Sequence, residues 1–431
     1  MAKDPLPNSS MSMESQLCET SDERRGRARG NFHRVESQLS VHSLHSQKSC
    51  LISWVEYLVS FLGWAHPKVA RADPRHHTVW LFNSTAFQPR TQTRLDHPDT
   101  WQTEVVAAIF EKHSRQDLGK LIALIADLVG LDGKAGEDPV VRQRIAERLQ
   151  PFVSEVAPAR FVELDVAFTP ADGNKYKLNP SNPHGIISHA IRIGSYQFIK
   201  DGTVISSSLS NWPQPVTMST TFAAPEGWLV VSDIDDTIKY TMTPDAIGIL
   251  RTTFAEEPKS VRGMPQLYVH VQNQLQPTWF YLSASPYNLY PFLRSFLEQN
   301  YPPGTMILRE NSWQSLAGLL KSFTQATQEY KTHRMQKIQR WFPKRKILCI
   351  GDSTQSDPEA YAEMYEKHGP WIKAIFIRKV MGLPNMEEKN SPERFDKAFE
   401  KVPRTVWRVF EDPEELYGPV NELHHLYPSR Q

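Results

Sequence analysis

The chain of 431 residues has little cysteine: Cys18, Cys50 and Cys349 are odd in number, widely spaced, and without the paired spacing of a metal knuckle or redox motif. A disulfide framework is excluded, and a reducing compartment is expected. Charge of one sign is also lacking. The 49 Lys+Arg against 48 Asp+Glu give a net charge of +1, so no global field draws nucleic acid or anionic lipid. Long apolar runs are absent as well; the longest, LISWVEYLVSFLGW at 51–64, falls short of the roughly 20 residues that a membrane-crossing helix needs. The opening MAKDPLPNSSMSMESQ has no apolar core for secretion, and Asp4, Glu14, Glu19, Asp22 and Glu23 disfavour an acid-poor transit peptide, so no targeting segment is expected. What is present, 40% hydrophobic, 10% aromatic and 23% charged residues, suits a globular protein long enough for two or three folded units.

Residues 1–50 are Ser-rich around the basic run RRGRAR at 24–29 and show almost no apolar periodicity, which reads as a disordered tail. Residues 51–155 read as mainly helical. Within them Ser53, Glu56 and Ser60 form a polar stripe on an otherwise apolar helix at 51–64, to be buried against its own domain or laid in a membrane interface with Trp54, Tyr57 and Trp64 at the headgroups. HTVWLFNSTAF reads as a strand, and WQTEVVAAIFEKH and DLGKLIALIADLVGL as helices. From 156 to 225 the period changes to two, in ARFVELDVAF, GIISHAIRIG and YQFIKDGTVISSS, giving a β-rich accessory module with Asp201 and Gly202 as a hairpin turn. From 226 to 420, strands such as WLVVSD, TWFYLS, TMILRE, RKILCIGD and WIKAIFIR alternate with amphipathic helices, which predicts an α/β fold with a mostly parallel sheet. Residues 421–431 close the chain as a tail.

Chemistry concentrates in LVVSDIDDTIKYT, where an apolar strand runs directly into Asp233, Asp235, Asp236 and Thr237. At the carboxyl end of a parallel strand such acids face the crevice where ligands bind, and they repel one another unless a cation intervenes. A hard divalent ion, Mg²⁺ above all, fits oxygen ligands of this kind. Three further pieces follow in order: Ser283 at the end of TWFYLSASP, Lys331 near the start of the helix EYKTHRMQKIQRWF, and Asp352 with Asp357 in RKILCIGDSTQSD. Each alone is ordinary, as a turn serine, a solvated lysine or a loop acid. The histidine pairs His76 and His77, His184 and His189, and His424 and His425 have no carboxylate or cysteine companions at ligand spacing and read as surface or capping residues. Tyr287, Asn288, Tyr290 and Arg294 follow Ser283 and are candidates for the substrate mouth. Cys349 reads as core packing.

The ordered set DxDxT, Ser, Lys, GDxxxxD resembles the haloacid dehalogenase superfamily of phosphohydrolases, with its Rossmannoid sheet and a small cap. That resemblance implies that Asp233 attacks phosphorus, that Asp235 protonates the leaving oxygen and then activates water, and that Ser283 and Lys331 steady the phosphoryl oxygens. It also implies that Thr237 supports the motif loop. Mg²⁺ would be held by Asp233, the backbone carbonyl of Asp235, and Asp352, with Asp357 supporting the metal or orienting Lys331. Over roughly 226–380, SDIDDTI, RGMPQLY, YLSASPYNLYPFLRSFL and GDSTQSDPEAYAEMY are similar to the fungal actin-patch phosphatidate phosphatase family, with Thr354 and Ser356 in place of an expected Gly and Lys. This resemblance implies Mg²⁺-dependent conversion of phosphatidate to diacylglycerol and phosphate, a cytoplasmic, peripherally membrane-associated protein, and endocytic or cortical actin-patch partners. Nucleic acid is not expected as a partner. The short stretches after Thr237 and Ser283 suggest an open mouth suited to a bulky or interfacial substrate, or to a phosphoprotein. Two rival readings are a phosphatase of the same mechanism acting on phosphoprotein or a soluble ester, and a catalytically inactive scaffold for actin-patch proteins.

Overall fold

The computed structural model describes residues 19–40, 69–89, 100–112, 118–131, 138–167, 173–195, 199–310 and 316–427. The helix expected at 51–64 lies outside them.

The accessory region holds a two-stranded sheet and an eight-stranded one. Strands β1 (Ala70–Arg71) and β5 (Arg160–Phe161) pair with each other. The larger sheet contains β2 (His77–Leu81), β3 (Ser84–Phe87), β4 (Thr100–Glu111), β6 (Glu163–Ala167), β7 (Gly173–Lys177), β8 (Ile186–Ser195), β9 (Val204–Leu209) and β10 (Thr217–Phe222). Its order is β2-β4-β3-β10-β9-β6-β7, with β8 on β4, and only the β3–β10 contact is parallel. The boundary expected at 155/156 is therefore not a structural one, because strands from 77–111 and 163–222 share this sheet.

WQTEVVAAIFEKH, expected as a helix, is strand β4. Val105, Ala107 and Ile109 face the core of the accessory sheet, while Ala108 and Phe110 face the core shared with helices Leu118–Leu128 and Pro139–Val153. A strand buried on both faces loses the polar alternation that marks a half-exposed one, so its apolar residues imitate a helical stripe. The turn at Asp201 and Gly202 exists, with Gly202 at φ +81° and Thr203 N donating to Lys200 O. Among the described residues it closes no hairpin: β9 pairs with β10 and β6, and β8 pairs with β4.

Residues 19–40, expected to be disordered, form helix Ser21–Arg29 and a second helix at 32–40. Thr20 and Glu23 make a reciprocal capping box that satisfies first-turn amides. The anchor is Arg27, buried and paired with Glu19 and Glu36, while Phe32, Val35 and Leu39 enter the main core. Apolar anchors this sparse are invisible to a compositional test for disorder.

The third sheet, six-stranded, belongs to a mixed α/β unit. It holds β11 (Trp228–Ser232), β12 (Thr278–Pro286), β13 (Thr305–Arg309), β14 (Lys346–Asp352), β15 (Ile372–Arg378) and β16 (Trp407–Phe410), all parallel, in the order β13-β12-β11-β14-β15-β16. Alternate residues face opposite layers: Val230, Tyr281, Leu348 and Phe376 lie in one core, and Val231, Leu282, Cys349 and Ile375 in the other. Burial on both faces explains the continuous apolar runs. The tail expected at 421–431 is in part helix Tyr417–Leu426, anchored by buried Val420 and Leu423. The chain leaves β11 toward β12 on one side and returns to β14 on the other, which makes the carboxyl ends of β11 and β14 the topological switch point where ligands bind in open α/β sheets.

Candidate active site

Sequence order delivers the acids to that switch point. Asp233 follows β11 directly and its backbone N–H donates to Ile350 O at 2.9 Å, so it lies beside Asp352 at the end of β14. Asp357 opens helix Asp357–His368, and Lys331 sits in the second turn of helix Thr327–Trp341. Gly351 permits the approach: a Cβ there would stand 2.5 Å from Asp357 Oδ2, closer than any side chain can be accommodated.

Lys331 Nζ donates to Asp233 Oδ1 at 2.7 Å and to Asp357 Oδ1. Thr237 Oγ1 lies 3.1 Å from Asp233 Oδ2 and 2.9 Å from Asp352 Oδ2, tying the two carboxylates together as the motif loop requires. Asp352 N donates to Asp357 Oδ2 at 3.0 Å. Oxygen atoms of Asp233, Asp352 and Asp357 all lie within 4.8 Å of one another. Both Asp357 oxygens are engaged, one by Lys331 and one by Asp352 N, which favours its role in orienting Lys331.

Asp235 is held apart from this group. Its Oδ1 accepts from Thr241 Oγ1 at 2.8 Å, and its Oδ2 accepts from Ser283 Oγ at 2.6 Å and Ser285 Oγ at 3.0 Å. The Asp235 carboxylate is thus not a member of the acid cluster, and only its backbone carbonyl is left for the metal role that the resemblance implied. Ser283, expected to face a phosphoryl oxygen, here donates to Asp235 and accepts from Ser285 N at 2.9 Å. Asp236 has φ +60°, and its carboxylate accepts from the backbone N–H groups of Thr241, Met242 and Thr243, closing the loop on itself.

Electrostatics set the character of the site. Burial pushes the Asp233 carboxyl well above the usual carboxylate range; Lys331 pulls it back, and Asp357, Asp352 and Asp235 push it up again. Asp352 is raised by burial and by Asp357. Burial works against the charge of Lys331, yet Asp233, Asp357 and Asp352 outweigh it and hold the ammonium well above the ordinary lysine value. Three carboxylates therefore surround one ammonium inside the protein, and a buried anionic surplus of this kind calls for another cation.

Among the described residues the open mouth expected from chain length is not observed. Asp233, Asp235, Lys331 and Asp352 are each at most 2% exposed. The segment after the motif, with helix Ala246–Leu250 and the π-helical turn Arg251–Ala255, is clamped by Arg144 and Arg148 from helix Pro139–Val153, which donate to the carbonyls of Ala255, Thr253 and Glu256. The proposed mouth residues instead tie the α/β unit to the accessory region: Tyr287 Oη donates to His184 O, Asn288 Nδ2 to Pro151 O, and Tyr290 accepts from Asn83 N while stacking on Phe82 at 3.8 Å. Arg294 pairs along its own helix with Glu298.

Several site residues escaped sequence reasoning. Ser285 carried a usable signal, since it is two residues past Ser283 on the same face of β12. Thr241 and Lys239 had none beyond nearness to the motif; Lys239 Nζ donates to Thr241 Oγ1 at 2.7 Å and is depressed by burial against the pull of Asp235 and Asp236. Arg378, at the end of β15, donates to Asp236 O at 2.7 Å across 142 residues of sequence.

Residues 228–379 match the family model described as phosphatidate phosphatase APP1, catalytic domain. The chain is 31% identical over 169 residues to phosphatidate phosphatase APP1 of Saccharomyces cerevisiae, covering 38% of this chain and 28% of that protein. It is 29% identical over 160 residues to an uncharacterized protein of Schizosaccharomyces pombe, covering 36% of this chain and 26% of that one. The match thus spans less than a third of either relative. Residues 228–379 are therefore similar to the catalytic domain of phosphatidate phosphatase APP1, and the rest of the chain lies outside that similarity.

Proposed function

We propose that the α/β unit is a Mg²⁺-dependent phosphatase of the haloacid dehalogenase type that hydrolyses phosphatidate to diacylglycerol and phosphate. The observation that carries the reading is the separation of two carboxylates: Asp233 lies in an oxygen-only cluster with Asp352, Asp357 and Lys331, while Asp235 is fixed by three hydroxyls outside it. In the first step an Asp233 oxygen bonds to phosphorus as the ester P–O bond breaks, and Asp235 in its acid form gives its proton to the departing glycerol oxygen. In the second step Asp235 takes a proton from water, the water oxygen bonds to phosphorus, and the Asp233 carboxylate leaves. Lys331 balances charge on the phosphoryl oxygens throughout.

The donor set fits a hard divalent cation, being all oxygen, buried and in anionic surplus. Asp233 and Asp352, with the Asp235 carbonyl, would hold it, and once bound the ion supplies positive charge that offsets the phosphoryl group. The lipid substrate is supported by the similarity to the yeast phosphatidate phosphatase. Among the described residues no helix is long and apolar enough to cross a membrane. A peripheral encounter with the lipid surface, at cortical actin patches in a cytoplasmic setting, completes the proposal.

The test is phosphate release from phosphatidate in mixed micelles, with Mg²⁺ or EDTA, beside a soluble aryl phosphate and an Asp233→Asn control. Phosphatidate turnover that needs both Mg²⁺ and Asp233 and exceeds turnover of the soluble ester supports the reading. Activity on the soluble ester alone keeps the chemistry and discards the lipid, whereas folded protein inactive on both becomes a scaffold candidate.

A further inference from the structure

The loop that carries Asp352 and Asp357 is held from outside the matched family segment. Lys389 Nζ donates to Thr354 O. Arg394 Nη1 donates to Ser353 O at 2.6 Å and to Lys389 O at 2.8 Å, and its Nη2 donates to Gln355 O at 2.6 Å. Its Nε and Nη2 also grip Glu359 Oε1 and Oε2 at 3.0 and 3.1 Å. Three consecutive carbonyls, those of Ser353, Thr354 and Gln355, are thus each bound by a cation, and all five guanidinium N–H donors of Arg394 have acceptors. Glu359 stands in the first turn of the helix that Asp357 opens, so one guanidinium spans both ends of the acid-bearing loop.

The consequence follows from peptide geometry. In a trans peptide the C=O and the next N–H point in opposite directions. With the Ser353 carbonyl drawn to Arg394, the Thr354 N–H is turned the other way, where it donates to Asp352 Oδ1 at 2.6 Å. Thr354 Oγ1 donates to the same oxygen and lies 2.9 Å from Thr243 Oγ1, linking this loop to the one closed by Asp236. The direction of the Asp352 carboxylate is therefore set, through one peptide, by residues in the segment after β15.

We infer that Lys389 and Arg394 are positioning residues that orient Asp352 toward the bound cation. The inference rests on the metal reading given above. Outer partners of metal ligands tune affinity without touching the ion, and a planar guanidinium that binds three carbonyls and a carboxylate at once cannot be replaced by an ammonium.

The experiment follows the unfolding temperature of the full chain against MgCl₂ concentration, with phosphate release measured in parallel. Arg394→Ala is expected to raise the Mg²⁺ concentration at half-maximal stabilisation about tenfold, and Arg394→Lys not to restore it. Lys389→Gln, which leaves the Arg394 fork in place, should raise it about threefold. Turnover at saturating Mg²⁺ should return to within about twofold of the unsubstituted protein, because the reacting groups are untouched. Midpoints unchanged in Arg394→Ala and Lys389→Gln, even with lower metal-free unfolding temperatures, would overturn the inference and leave the contacts purely structural. If Arg394→Ala does not fold, the Lys389→Gln midpoint alone decides. Unsubstituted protein with no Mg²⁺-dependent shift overturns the metal reading and this inference together; a normal shift with unchanged variants overturns only this one.

Discussion

Replacing Asp233 by Asn should abolish turnover yet stabilise the metal-free protein. Asp233, Asp352 and Asp357 crowd one ammonium, Lys331, and the Asp233 carboxyl is pushed up first by burial and then by its acidic neighbours beyond what Lys331 offsets. A folded value above the unfolded one means that the native chain holds an extra proton between the two. Stability from that proton is complete below the ordinary carboxylate value and is lost as pH climbs toward the raised one. Within that window each proton is worth about 1.4 kcal/mol per pH unit, and for a domain of this size that corresponds to roughly 3–6 °C in unfolding temperature. Asn keeps the size of the side chain and an oxygen for Lys331 but cannot ionise. Scanning calorimetry in EDTA from pH 5 to 8 should therefore show a falling unfolding temperature for the unsubstituted chain and a shallower fall for Asp233→Asn, with the two curves diverging as pH rises. Mg²⁺ should lift the unsubstituted curve far more than the variant. A variant that unfolds below the unsubstituted chain throughout this range, or parallel curves, would refute the claim that the acids carry uncompensated charge.

Three other perturbations test separate parts of the structure. Asp235→Asn should reduce turnover by about 10² to 10⁴-fold with little change in the Mg²⁺ midpoint, because its carboxylate lies outside the acid cluster; a shifted midpoint with turnover retained would reverse that assignment. Arg27→Ala leaves buried Glu36 without its partner and should cost about 3–5 kcal/mol locally, read as accelerated proteolysis or amide exchange confined to residues 19–40. Trp101→Ala, which empties a buried position where Trp101 meets the edge of Phe222 with ring centroids 5.0 Å apart, should destabilise the accessory sheet by about 3–5 kcal/mol; no loss in a melting experiment would argue against β4 as the spine of that sheet.

The α/β unit was legible because its physics is local. A strand buried on both faces must be apolar throughout, so WLVVS, TWFYL and KILCI announce themselves, and an acid placed just past such a run marks the strand's carboxyl end. The accessory sheet was legible only in part. Its central strand β4 is covered by two different cores, and nothing in WQTEVVAAIFE distinguishes that from a helix facing one. Residues 19–40 were misjudged for the opposite reason, since a handful of anchors such as Arg27, Phe32 and Leu39 order a segment whose average composition looks solvated.

For the site, Asp233, Asp235, Ser283, Lys331, Asp352 and Asp357 are polar residues whose places at or near the ends of strands and helices follow from sequence order. Their partners do not. That Thr237 reaches Asp352, that Ser283 and Ser285 fix Asp235, and that Arg378 and Arg394 reach back to earlier loops are contacts between segments distant in sequence, and the Thr241 contact with Asp235 depends on how the intervening loop closes. The chemical groups and the strand ends on which they sit follow from neighbouring residues and are fixed by the chain's order. Which acids cluster around Lys331, which one is held by hydroxyls outside that cluster, and what covers them depend on distances that no local pattern encodes.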